Sequence, residues 1–458
     1  MPHSNTLHHR LDADQPPPPP PPSTSIKRMS SMISSNRASE SDAKRTAVAS
    51  DGERLDFKKN FFILSHAGKP IYCRYGDESK LSGHMGVMQA ILSFHSTDDD
   101  ELQSVEAGTH RYVFLRGGPL YLVAVSSTGE SETQLRRQLK HLYNQILFIL
   151  TQSQLEKIFK ERENYDLRRL LMGTETFFDN MADQFLQSPG YCLEAIECVK
   201  MERGLREQIG KLFSANVPQS LLFGAMFAGD RLVTLIRPKR HTLHPTDIRL
   251  ITNMVTSSTS FQSVESWTPI CLPHFHSRGF LHAYVSFIGS SELYLVLISN
   301  DRDAFFSMSA YKDEIVEGVS KQPGLADQLE GSLYEKTYSL KDVGIPGLRH
   351  FVYKSKALMQ YIQASRNPPY TNSSDYERLL RLYQYSHARS NEASFGVKVG
   401  YFAAESESVL AWITQQSELY VTLDPFATKI DAISIAQKLQ KWIKAHEELV
   451  FLDRAVVF

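Results

Sequence analysis

The chain has little of what most functional classes require. Its 458 residues hold only four cysteines, Cys73, Cys192, Cys198 and Cys271, scattered without a CxxC pair. That spacing excludes a disulfide framework and a cysteine-based zinc site, and it is read as reduced thiols. Neither sign of charge is in excess: 50 lysines and arginines face 51 aspartates and glutamates, so no global field draws the chain to nucleic acid or to anionic lipid. Nucleic acid is therefore no partner, and any affinity for phosphate must be local. No stretch approaches the roughly 18 continuous apolar residues of a membrane-spanning helix, and the first residues carry no apolar signal core. The expectation is a cytoplasmic protein that a partner or surface contacts recruit to membranes.

Catalytic signatures are missing as well. There is no GxSxG, HExxH, GxxxxGK[ST] or GxGxxG, which removes the commonest hydrolase, zincin, P-loop and dinucleotide-binding chemistries. His241 and His244, and His274 and His276, have no third ligand nearby, so they read as solvated or hydrogen-bonded side chains with no metal between them. The run Asp98-Asp99-Asp100-Glu101 lacks the alternation and glycine of a calcium loop. No cofactor is called for.

What is present starts with a change of composition. Residues 1–56 include seven consecutive prolines, Pro16 to Pro22, and then a serine-rich stretch. They form an expected disordered tail, because they cannot bury enough apolar surface to offset ordering entropy. The proline run suits an SH3-type groove, and Ser30 and Ser39 follow arginines as in kinase sites. Folded character begins at Asn60. Strand-like runs at 60–65 and 71–75, an amphipathic helix to about Ser96, strands at 102–107, 112–116 and 120–125, and a helix capped by Ser131 give the order two strands, helix, three strands, helix. The order returns at 220–320, where Asp301 reads as a helix cap, and less regularly at 348–446. Helices at 154–184 and 193–210 read as packing elements between the first two copies.

This is the element order of the longin domain, so the expected fold class is α/β (α+β). Three longin-like domains, each a five-stranded antiparallel sheet with helices packed on it, follow the tail. The expected boundaries are 57–160, 216–325 and 326–458, with a helical linker at 161–215.

Two local signals point to binding. Arg237, Lys239, Arg240 and His241 crowd one loop, stiffened by Pro238, and such a cluster suits anionic headgroups. On the first helix Met85, Met88 and Leu92 form a stripe beside Gly83, His84 and Gly86, which reads either as core or as an adaptable binding face. Asn144 and Gln145 interrupt an apolar helical run, and read either as a solvent-facing break or as hydrogen-bond donors to a partner.

Long segments then carry a resemblance. Asn60 to Tyr72 (NFFILSHAGKPIY), Arg111 to Val123 (RYVFLRGGPLYLV), Gln138 to Leu147 (QLKHLYNQIL), Ser188-Pro189-Gly190-Tyr191 and Cys271-Leu272-Pro273 closely resemble the Mon/SAND family of vacuolar fusion proteins. The resemblance implies three longin domains and pairing with a Ccz-type three-longin subunit. It also implies guanine-nucleotide exchange on a late-endosomal Rab GTPase at a phosphoinositide-bearing membrane, late endosome or vacuole. Exchange of that kind works by binding and remodelling the GTPase, without catalytic chemistry. The candidate GTPase or partner contacts are His84, Met85, Met88, Asn144 and Gln145, and the candidate membrane contacts are Arg237, Lys239 and Arg240. The alternative is a longin scaffold or tether without exchange activity.

Overall fold

A computed structural model describes residues 58–76, 78–94, 101–289, 292–334, 338–391, 398–453 and 455–458. The tail of residues 1–56 and the acidic run at 98–100 lie outside them.

In the first domain, strands β1 (Lys59–Ser65) and β2 (Pro70–Cys73) precede helix α1 (Glu78–Phe94). Strands β3 (Ser104–Ala107), β4 (His110–Gly117) and β5 (Leu120–Ser126) lead to helix α2 (Glu132–Ile149). The sheet order is β2-β1-β5-β4-β3, antiparallel throughout. β1 and β5 are central and buried on both faces, which is why their sequences are nearly continuous apolar runs. Alternation then sorts the side chains: Phe61, Ile63, Leu122 and Ala124 pack with Leu135, Leu139, Leu142 and Ile146 of α2. Phe62, Leu64, Val123 and Val125 pack with Leu81, Met85, Met88 and Leu92 of α1. α1 and α2 thus lie on opposite faces of one sheet. The Ser131 side chain accepts from Gln134 N and caps α2, as expected.

Helices α3 (Gln152–Glu161) and α4 (Glu175–Gln187) follow, then the short helix Pro189–Leu193. The continuous helix expected at 193–210 is not formed. Ile196–Glu197 is a two-residue strand, β6, and α5 (Arg203–Ser214) starts only after it. β6 adds in parallel to the strand Gln360–Gln363 of the third domain, and Cys198 bridges to Leu232 of the second.

The second domain contains β7 (Leu221–Ala228), β8 (Arg231–Arg237), α6 (Pro245–Thr256), β9 (Ser266–Leu272), β10 (Ser277–Phe287), β11 (Leu293–Ser299) and α7 (Phe305–Lys321). Asp301 does not cap α7. It accepts from Asp303 N in the turn before Ala304, the residue that does occupy the cap position. One face of this sheet, through Phe223, Ala225 and Phe227, joins the same apolar core as α2, α4 and α6. A single helical layer therefore serves both the first and second sheets. The other face packs on α5 and α7 through Met226, Leu295 and Leu297.

The third domain repeats the order in full: β12 (Leu348–Ser355), β13 (Gln360–Gln363), α8 (Ser373–Asn391), β14 (Val399–Ala403), β15 (Ser408–Ile413), β16 (Ser417–Leu423) and α9 (Lys429–Ala445). The short β13, with sequence QYIQ, carries too little apolar periodicity to be read as a strand beforehand. α8 covers one face beside the 188–195 segment, and α9 covers the other with Tyr338, Val343, Val450 and Phe451. After α9 the chain returns to the second domain, where β17 (Val456–Val457) pairs in parallel with β8. The second and third sheets are consequently six-stranded, each with one strand donated from elsewhere in the chain.

Candidate functional site

α1 is built as an amphipathic helix that covers one face of the first sheet, and its inward stripe is the one that periodicity picked out. Met85 and Met88 are each 2% exposed and lie in the core. Filling that core contributes about 1.5–3 kcal/mol per side chain, and it removes both residues from any surface. Of the methionine–glycine group only His84 is half-buried, while Gly83 and Gly86 face open space. The outward face instead presents Val87, 59% exposed, and Phe94, 84% exposed. These lie seven positions apart and therefore on one helix face. They were not among the residues the sequence singled out, because periodicity left open whether the methionine stripe faced the core.

Asn144 and Gln145 sit on the far side of the sheet and do not join α1. Gln145 is fully buried and accepts from Asn253 Nδ2 of α6 at 2.9 Å, and Asn180 Nδ2 donates to Asn253 Oδ1 at 2.8 Å. Asn144 Nδ2 lies 3.3 Å from His274 Nε2. The polar break in α2 thus lies at a seam between the first two domains, where Gln145 is buried rather than solvent-facing and Asn144 is half-buried beside His274. In the shared helical layer Asn253 bonds both Asn180 and Gln145 Oε1, while Gln145 Nε2 is buried with no hydrogen-bond partner among the described residues, a site where an unpaired amide costs about 1–3 kcal/mol.

The seam continues through a histidine pair. His244 and His274 stack at 4.1 Å, and His244 Nδ1 accepts from Thr246 N as the cap of α6. Burial lowers the pKa of both rings. Asp247 accepts from His274 N and Phe275 N, and burial pushes its carboxyl up to about 7. Among the described residues no cluster of three or more histidine, cysteine or acidic side chains is arranged to hold a metal. Burial also raises the thiols, to about 12 for Cys192 and Cys271 and about 11 for Cys198, far from a reactive thiolate.

In the basic loop, Arg237 turns inward, Nη1 donating to the carbonyls of Pro238 and His241. Lys239 and Arg240 remain exposed. Sheet edges differ between the domains. β17 covers the β8 edge of the second sheet, and β6 covers the β13 edge of the third. In the first sheet Tyr72 and Arg74, in and just after β2, are tied to Asp179 and Asp183 of α4. β3, half exposed, ends that sheet with no further strand among the described residues. The first domain therefore has one helix face bearing exposed apolar side chains and one open strand edge, both features of a surface for binding. No helix among the described residues is long and apolar enough to cross a membrane.

Comparison with known proteins agrees with this architecture. Residues 59–181, 219–317 and 347–447 match the family models described as the first, second and third longin domains of FUZ, MON1 and HPS1. The chain is 41% identical to the vacuolar fusion protein MON1 homolog A of Gallus gallus over 396 residues, 86% of this chain and 72% of that protein. It is 40% identical to the Homo sapiens homolog A over 396 residues, 86% of this chain but 61% of the longer human protein. It is also 40% identical to Protein SAND of Takifugu rubripes over 414 residues, covering 90% and 79%.

Proposed function

The chain belongs to the MON1/SAND family of vacuolar fusion proteins, and on that premise we propose that it is one subunit of a heterodimeric guanine-nucleotide exchange factor. Its role in vesicle fusion and trafficking comes with the family. Its partner is a second three-longin subunit of the Ccz type, and its target is a late-endosomal or vacuolar Rab GTPase. The pair promotes endosome maturation, autophagy and fusion with the vacuole or lysosome, where it is held peripherally at phosphoinositide-bearing membrane by Lys239 and Arg240.

The observation that carries this reading is the asymmetry of the three sheets. Among the described residues the first sheet alone receives no strand from elsewhere in the chain. It combines its β3 edge with the exposed Val87 and Phe94 of α1, which is the surface a second longin domain would complete. The mechanism needs no proton transfer. A surface that holds the nucleotide-free GTPase more tightly than the loaded form weakens phosphate and magnesium contacts by differential binding alone. His84, Val87 and Phe94 are the contacts this reading assigns to α1. Met85 and Met88 support them from below.

The test is release of a fluorescent guanine nucleotide from the GTPase. The co-purified pair should accelerate release, the chain alone should be nearly inactive, and Val87→Asp with Phe94→Asp should slow the pair at least tenfold, about 1.4 kcal/mol, without separating the subunits. Full exchange by the lone chain would refute the heterodimer. A stable pair with no exchange activity would leave the non-exchanging scaffold as the reading.

A further inference from the structure

Helix α9 has an outer face unlike that of any other described helix. Ala432, Ile435, Ala436, Leu439 and Ile443 point into the third domain's core. At about 100° per residue, Ile430, Ser434, Gln437, Lys441 and Lys444 fall within roughly 80° on the opposite side, with Lys438 at its margin. Ile430 is 80% exposed, and Phe426, in the turn just before the helix, is 91% exposed. Lys438, Lys441 and Lys444 are all exposed, and among the described residues none is ion-paired.

The acidic groups nearby are already engaged. Asp431 accepts from Thr428 N and Oγ1 in the capping box. Asp424 pairs with Arg349, and Glu448 with Arg203. Glu447 lies beyond the helix end. Another strongly exposed apolar side chain, Phe306, lies on a helix whose Lys312 is already paired with Glu265 and Asp313.

Two exposed apolar side chains at one end of a lysine row match the layered chemistry of a lipid leaflet. We propose that the outer face of α9 and the turn before it dock on an anionic bilayer. Phe426 and Ile430 enter the boundary between headgroups and acyl chains, while Lys441 and Lys444 meet phosphate and carboxylate headgroups. The inference rests on the reading that the protein works at a membrane, and it adds a contact in the third domain, distinct from Lys239 and Arg240 of the second.

The experiment is co-sedimentation of the full chain with phosphatidylcholine vesicles with and without phosphatidylserine at physiological salt. Wild type should bind the anionic vesicles, more weakly as salt rises, and Lys441→Glu with Lys444→Glu should lower its partition coefficient about tenfold. Phe426→Asp with Ile430→Asp should do the same. Because acidic substitutions can unfold a helix end, the conservative Phe426→Trp supplies a second measurement. Its emission, above that of wild type, should shift to the blue on anionic vesicles and be quenched by brominated lipid. Wild-type binding by both acidic variants, no preference of wild type for anionic vesicles, or unshifted emission from the Phe426→Trp variant would each overturn the proposal. Loss of a protein partner by the lysine variants with vesicle binding intact would also overturn it, in favour of an acidic protein surface. Nucleotide release in vesicle-free solution should be unchanged by these variants, so failure of the exchange reading shows there and not in the vesicle assay.

Discussion

Gly190 occupies the point where the three domains meet, and replacing it with alanine should loosen that junction. A methyl group there would coincide with Nη2 of Arg249 and lie 2.8 Å from the carbonyl oxygen of Ala195. Arg249 is buried in α6, donates to that same carbonyl, and holds its guanidinium 4.6 Å from the centre of the Tyr191 ring. A long side chain normally escapes a clash by swinging into solvent, but here it is enclosed. Displacement loses a charge-assisted hydrogen bond of about 1.5–3 kcal/mol and a desolvated cation–π contact of about 2 kcal/mol, so Gly190→Ala should cost about 4 kcal/mol. Amide exchange over residues 188–199 reads this locally and should accelerate on the order of 10³-fold. Arg249→Met in the same background separates the causes. If the clash with the guanidinium is responsible, the double variant costs clearly less than the two single losses added together. A loss under about 1 kcal/mol for Gly190→Ala, or strict additivity, would show that Arg249 relocates freely and would refute the reasoning.

Two further outcomes follow from buried ionisable groups. Burial lowers His141 and His350 to about 3 and His387 to about 4, whereas it raises Asp247 and Glu197 to about 7. Between pH 6 and 5 the unfolded chain thus holds protons on three histidines that the folded chain refuses, and the folded chain holds protons on two carboxyls that the unfolded chain releases. The histidine contribution is whole above about 6.5 and is lost on acidification, and burial lowers His244, His274 and His282 in the same direction, so with at least one net excess proton on the unfolded side stability should fall by about 1.4 kcal/mol per pH unit or more, a slope that thermal or urea unfolding across that range will reveal and that His141→Phe should flatten. Glu197→Gln acts in the opposite window: the raised carboxyl contributes stability at low pH and loses it as pH rises through 7, so the variant should be about 3 kcal/mol more stable than wild type at pH 8 and no different below about 4.5, and equal stability at pH 8 would refute it.

The element order and the apolar runs of the central strands were legible in the sequence because a strand buried on both faces has no room for polar residues, as β1 and β5 illustrate. The Met85–Met88 stripe was legible as a helix face but not as core or surface, since periodicity reports that a face is apolar and is silent on what covers it. Gln145 was noticed as a break, yet its meaning lay in Asn253, 108 positions away. β6 and β17 have two residues each, too short for any period to register. The outward pair Val87 and Phe94 emerged only once the inward direction of α1 was fixed by Leu81 and Leu92.

The donated strand β17 has a consequence for how the chain is made. β8 is complete at Arg237, but the strand that covers its edge arrives only with Val456 and Val457. At about 5–20 residues per second, the interval during synthesis is roughly 10–40 s. Throughout it the nascent second domain displays the Ile236–Arg237 end of that edge, beyond the Cys198 bridge at Leu232, to every other emerging chain. A ribosome stalled within the third domain would therefore release a product whose fault lies in the second, and chaperones attending this protein should engage it there, long after that domain has otherwise folded.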